Sequence, residues 1–166
     1  MFHSVVTTIR LLLEKNGVQY KFFEHEAVRT SEEAHALRPE YVLSQGAKAL
    51  IIKCKIPNQD RKFVMCVIPG DARLSSEKVK AVVGAKSITF ATKEEADVIT
   101  NGVEFGGVPP FGNLFGLPVY MDETLGINEE IIFNCGDRRA SIAIAFNDYE
   151  KLVQPVRVSI IEQDQA

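Results

Sequence analysis

The chain has 166 residues, 46% of them hydrophobic, with 19 Lys+Arg against 22 Asp+Glu for a formal net charge of −3. A chain of this length buries roughly 70% of its unfolded surface, so residues 1–166 are expected to form a single domain without disulfide staples. The slightly acidic balance argues against a surface that coats polyanions, so DNA is not an expected partner, while a local nucleic-acid contact stays compatible with it.

Cys54, Cys66 and Cys135 are odd in number, lie in apolar runs and form no CxxC or Cys/His cluster. Buried, reduced thiols are expected, pointing to the cytoplasm, with no metal site and no disulfide framework. The start, MFHSVVTTIRLLLEKNG, carries Arg10 and Lys15 and no small-residue cleavage site. It does not read as a secretory signal, and no stretch has the apolar length of a membrane span.

In chain order, Ser4 is positioned to cap a helix running to about Asn16, with Val5, Ile9, Leu12 and Leu13 on one face and Gly17 as the stop. Tyr20–Glu24 reads as a strand. Thr30 followed by Glu33 forms a capping box opening a short helix, with Pro39 beyond its end. Lys48–Ile56 and Lys62–Ile68 read as a hairpin around Pro57-Asn58-Gln59-Asp60-Arg61. Ser75 or Ser76 caps a helix through Val83 that Gly84 ends. Ser87–Phe90 is strand-like, and Thr92 with Glu95 caps a helix to about Thr100. Asn101–Leu117, with five glycines and two adjacent prolines, is too broken for regular structure. Strands return at Pro118–Asp122, Glu130–Asn134 and Ser141–Ala145. Asn147 with Glu150 caps a last helix, Val156–Ile161 closes the sheet, and the polar tail from Glu162 frays. This interleaving predicts an α/β fold: one domain with a curved mixed β-sheet surrounded by short helices.

Chemistry is suggested at two places. Lys48, in QGAKALIIK, sits where a loop enters an apolar strand. An ammonium there either meets an anion in a cleft or reaches solvent along its aliphatic stem. In GGVPPFG, Gly106 and Gly107 let backbone approach a ligand, and Pro109 and Pro110 stiffen the turn. Such a loop is either an oxyanion or phosphate site or a tight structural crossover. Conventional nucleophilic catalysis has little support: there is no GxSxG elbow, and His3, His25 and His35 all lie in the first quarter of the chain. His3 and His35 read as structural. His25 either packs at a strand end or joins a distant serine or cysteine. Lys78, Lys80 and Lys86 read as a solvated basic face around the third helix, and Asp137-Arg138-Arg139 as a solvated turn before Ser141.

The ordered set resembles the YbaK/prolyl-tRNA-editing family, free-standing relatives of the editing domain inserted in some prolyl-tRNA synthetases. It runs from His25 and Thr30-Ser31-Glu32-Glu33-Ala34 through Gly46-Ala47-Lys48 and Gly70-Asp71-Arg73-Leu74. Gly106-Gly107-Val108-Pro109-Pro110-Phe111-Gly112 follows, and then Gly136-Asp137-Arg138 with Ser141. The resemblance implies a YbaK-like domain that hydrolyses the ester between a wrong amino acid and tRNA, with tRNA for proline as the expected carrier. It assigns Lys48 to the 3′-terminal nucleotide, Gly106 to the essential position of the GG(I/V)xP loop, and Ser141 to the amino-acid pocket. His25, Thr30, Val108 and Pro109 are then expected along the substrate, and Gly107 beside Gly106 in the catalytic loop. A tyrosine used by some members aligns with Phe23, which leaves the amino acid open.

An aminoacyl ester is already activated, so a positioned water, N–H donors from Gly106-Gly107-Val108 and a ribose hydroxyl would suffice, with no metal, cofactor or protein nucleophile. The expected partners are the 3′ acceptor end of aminoacyl-tRNA and prolyl-tRNA synthetase. Rival readings are a non-catalytic module that binds tRNA or a synthetase through the same pocket, and a small-molecule ester hydrolase.

Overall fold

Two β-sheets meet along one strand. The elements are α1 (Ser4–Lys15), β1 (Tyr20–Glu24), β2 (Ala47–Lys55), β3 (Lys62–Pro69), α2 (Ser76–Val83), β4 (Ser87–Phe90), α3 (Lys93–Thr100), β5 (Val119–Asp122), β6 (Glu130–Asp137), β7 (Ala140–Ala145), α4 (Phe146–Val153) and β8 (Val156–Val158). The computed structural model describes residues 1–27, 32, 33, 36 and 39–163. A mixed sheet runs β4-β2-β3-β5-β8, and an antiparallel one runs β1-β7-β6. β3 fills one edge of β2 from Ala47 to Cys54. The other edge carries β4 at Ile52 to Lys55 and, at its start, a parallel bridge from Gly46 to Ile132 of β6. The result is the mixed α/β domain with short helices that the sequence predicts.

Strand alternation sorts side chains onto opposite faces. Ala47 and Ile51 of β2, Met65 and Val67 of β3, and Ile131, Phe133, Ile142 and Ile144 of the smaller sheet form the main core with Val5, Ile9 and Leu13 of α1. On the other face of the larger sheet, Ile52, Cys54, Val64, Cys66 and Ile68 pack with Val79 of α2 and Ile160. Phe23, Tyr41, Ile132 and Ala143 make a small cluster on the outer face of the smaller sheet. All three cysteines are free and buried; burial pushes the Cys66 and Cys135 thiols up to about 12 and raises Cys54.

Local signals place several ends where expected. Ser75 caps α2, which ends at Gly84 with φ +76, and Thr92 and Glu95 form a reciprocal capping box on α3. Other ends are set by distant contacts. The cap of α1 is His3, not Ser4: its Nδ1 accepts the Val5 N–H at 3.0 Å while Nε2 lies 2.8 Å from the Asn101 carbonyl. α4 begins at Phe146, without a side-chain cap, because the Phe146 N–H donates to the Glu129 carbonyl at 2.8 Å and its ring enters the core. That overrides Asn147. β6 continues past Asn134 to Asp137 through a register shift. Gly136 there has φ +121, and an added Cβ would lie 2.0 Å from Val5 Cγ1, so α1 packs directly on the bulge.

The predicted broken stretch contains a 3-10 turn at Gly112–Phe115. The closing strand is only Val156–Val158, beyond which Ile161 bridges Leu74 and the Glu162 N–H donates to the Arg73 carbonyl at 2.8 Å. Glu162 is therefore tied down, not frayed. Lys78, expected in solvent, donates to the Ile161 carbonyl at 2.8 Å. Thr30, Ser31, Ala34 and His35 lie outside the described residues, and the first capping box with them.

Candidate active site

Lys48 belongs by alternation to the face of β2 that carries Leu50 and Ile52. On the smaller sheet Asn134 and Ser141 are directly paired and share the outer face with Ile132 and Ala143. The isolated parallel bridge from Gly46 to Ile132 brings the start of β2 against β6.

The Lys48 ammonium is partly buried and donates to the Ala72 carbonyl at 3.1 Å. Burial lowers its pKa from the ordinary lysine value; Glu32 and Asp71 oppose that shift, and Arg73 adds to it. A cleft of about 500 Å³ opens along the same Asp71-Ala72-Arg73 segment, bounded also by Ser44, Thr124 and Asn128.

Ser141 is fully buried, at 0% exposure, and is the centre of a polar chain. His25 Nε2 lies 2.7 Å from Ser141 Oγ, Ser141 Oγ lies 3.1 Å from Asn134 Oδ1, and Asn134 Nδ2 donates to the Gly106 carbonyl. The other ring nitrogen, His25 Nδ1, is 2.7 Å from the Glu26 carbonyl. A carbonyl only accepts, so Nδ1 carries a proton. In the neutral ring Nε2 then accepts from the Ser141 hydroxyl. In the imidazolium Nε2 donates, and the hydroxyl turns to Asn134 Oδ1. The proton on His25 therefore sets the direction of the serine bond.

Gly106 has φ +84, in the region that favours glycine. The Gly107 N–H donates to the Glu104 carbonyl at 2.9 Å, so it closes a turn and is not open to a substrate. This corrects its expected role as a donor. The reason for glycine here is packing: an added Cβ would lie 3.3 Å from the backbone of Asp137 and Arg138. Among the described residues, the N–H groups of Gly106 and Val108 donate to none. Arg138 pairs with Glu104 at 2.8 Å, and the buried Tyr149 hydroxyl donates to the Pro110 carbonyl at 2.7 Å. The loop is fixed at both ends.

The structure thus brings His25, Ser141 and Gly106 into one connected chain through Asn134, while Lys48 is held by the Ala72 carbonyl. Val108 and Pro109 are buried beneath the loop, and Thr30 lies outside the described residues. Phe23 is paired with Ser141, its ring edge-on to Tyr41 at 6.0 Å. The residue that sequence reading missed is Asn134. Its only signal was a polar residue directly after the apolar run Ile131–Phe133, two positions before the glycine of the bulge. Among the described residues no group of three or more His, Cys, Asp or Glu could hold a metal ion, and no helix is long and apolar enough to cross a membrane.

A glycine loop whose Gly106 carbonyl is tied to a chain of Asn134, Ser141 and His25, and whose Gly106 and Val108 N–H groups donate to no described residue, is compatible with an acyl-transfer or anion-binding site. Comparison with known proteins narrows the class. A family model described as "Aminoacyl-tRNA editing domain" matches residues 25–152. The multifunctional Ser/Thr-tRNA deacylase ProXp-y of Escherichia coli (strain K12) is 32% identical over 162 residues, covering 96% of this chain and 95% of that protein. The uncharacterized protein YwhH of Bacillus subtilis (strain 168) is 28% identical over 102 residues, 61% of each chain. A solved structure described as a "putative trans-editing enzyme for prolyl tRNA synthetase" superposes with a TM-score of 0.81 at 25% identity, covering 98% of this chain and 100% of that one. The chain belongs to the aminoacyl-tRNA editing domain family. It is a hydrolase acting on the ester bond of aminoacyl-tRNA.

Proposed function

We propose that residues 1–166 form one editing domain that acts in trans in the cytoplasm, clearing a wrong amino acid from tRNA for proline, alone or beside prolyl-tRNA synthetase. Water attacks the ester, with no metal, cofactor or covalent intermediate. The observation that carries this reading is the tie between the two stretches through β6: Gly46, two residues before Lys48, bridges Ile132, and two residues after Ile132 the Asn134 amide holds the Gly106 carbonyl. Lys48 anchors a phosphate of the 3′ end, with Arg73 close by as a second cation. The Gly106 and Val108 N–H groups stabilise the developing oxyanion, and a neighbouring ribose hydroxyl assists the water. His25, Thr30, Val108, Pro109 and Ser141 shape the amino-acid pocket.

The His25–Ser141 distance is also that of a base and a nucleophile. Against covalent attack, Ser141 is fully buried and engaged on both sides. Ser141→Ala therefore retains most of the turnover if water attacks; a fall to the uncatalysed rate would mean an acyl-enzyme.

The test is amino-acid release from a panel of mischarged tRNAs: tRNA for proline carrying alanine or cysteine, and other tRNAs carrying serine or threonine. Release from the proline tRNA, lost in Lys48→Ala with the fold intact, is the expected result. Release only of serine or threonine would transfer the specificity to a second reading, which the 32% identity to a Ser/Thr-tRNA deacylase supports. Normal turnover by Lys48→Ala would remove the role given to that lysine.

A further inference from the structure

We propose that Asn134 is a positioning residue: its side-chain amide fixes the Gly106–Gly107 peptide so that the neighbouring N–H groups stay aimed at the ester. The inference rests on the reading of the glycine loop as the reacting site. A peptide between two glycines has no Cβ on either side to resist rotation, so its plane flips at small steric cost. Here it is held at both ends. Its carbonyl accepts from Asn134 Nδ2, and its N–H donates to the Glu104 carbonyl at 2.9 Å. A flip would set the carbonyl toward the Glu104 oxygen and the N–H toward the Asn134 amide, opposing acceptor to acceptor and donor to donor.

The orientation of the Asn134 amide is itself decided. Gly106 O can only accept, so nitrogen faces it; Oδ1 then faces Ser141 Oγ, 3.1 Å away, whose hydroxyl proton it receives when His25 is protonated. Asn134 sits at the last regular pair before the register shift of β6, and the shift lets the strand bend after it without moving the side chain out of reach. Glu104 is in turn steadied by Arg138.

Asn134→Asp keeps the shape and replaces the donor with an acceptor. Near pH 7.5 its kcat is expected to fall about 10–100-fold, the cost of a small misplacement at a reacting centre, with KM little changed. As pH is lowered to about 5, the carboxyl regains a proton that can point at Gly106 O, and the deficit relative to wild type narrows. Asn134→Ala cannot regain the donor, so its deficit stays constant with pH. In Asn134→Asp near pH 7.5, amide exchange at Gly107 is expected to speed up while the β2–β3 ladder stays protected. Wild-type kcat in a folded Asn134→Asp, or a deficit that ignores pH, would overturn the proposal. Lys48→Ala is run in parallel. Full activity there faults the site reading itself, whereas its loss alongside a normal Asn134→Asp faults only the role of Asn134.

Discussion

One face of β2 lives in two environments. Toward its end, Ile52 and Cys54 lie under α2 with Val79 and Ile160, all at 1% exposure or less. At its start, Lys48 is partly buried and donates to the Ala72 carbonyl, next to the bridge that joins β2 to β6, the strand whose Asn134 belongs to the polar chain with Ser141 and His25. The apolar end is held by non-directional contact, so any well-packed side chain of the right volume serves. The polar end is held by directed bonds in which each group orients the next, and the wrong group there leaves a buried partner unmatched. Stability is thus concentrated at one end of the strand and preorganisation at the other.

Truncations at the two ends should separate. Ile52→Ala is expected to lower unfolding free energy by about 2–5 kcal/mol in a denaturant titration, with deacylation per folded molecule unchanged. A large loss of specific activity would mean that the two ends are coupled. Lys48→Ala is expected to reverse the pattern: about 10–100-fold in kcat/KM for aminoacyl-tRNA, from the loss of a charge-assisted contact, with little change in melting temperature. Ser141→Ala is expected to lower unfolding free energy by about 1–2 kcal/mol, because buried polar groups around it lose a partner, while most of the turnover is retained.

The smallest effect is in pH. The folded Lys48 has a pKa below that of an ordinary lysine, chiefly through burial. The cation is present below that folded value and lost as pH rises through it, so KM for the tRNA should climb at a lower pH than a solvent-exposed lysine would give. Lys48→Arg should remove the climb, because a guanidinium keeps its charge. The stability term has its own sign. The folded value lies below the unfolded one, so this group's contribution is complete above the unfolded pKa and declines as pH falls through the folded one.

The elements that the sequence spelled out are those governed by neighbours in the chain. Ser75 with Gly84, the Thr92–Glu95 box and the β2–β3 hairpin each carry their whole signal within a few residues. The misplaced ends are those settled by distant groups: His3 by Asn101, Phe146 by Glu129, Glu162 by Arg73. The site divides in the same way. Lys48 and Gly106 could be nominated from local context, one a cation entering a strand and the other a glycine in a stiff turn. The link between His25 and Ser141 spans 116 residues, and no local pattern records it. Asn134 takes its meaning from both the Gly106 carbonyl and the Ser141 hydroxyl, and so could not be read from its own strand.

The three sheltered thiols have a practical consequence. Cys54 and Cys66 sit in the layer beneath α2, and Cys135 sits in the layer beneath α1. Alkylating reagents should therefore leave the working enzyme untouched and mark it only when a layer opens. The order in which the three become labelled during gentle heating would report which half of the molecule lets go first.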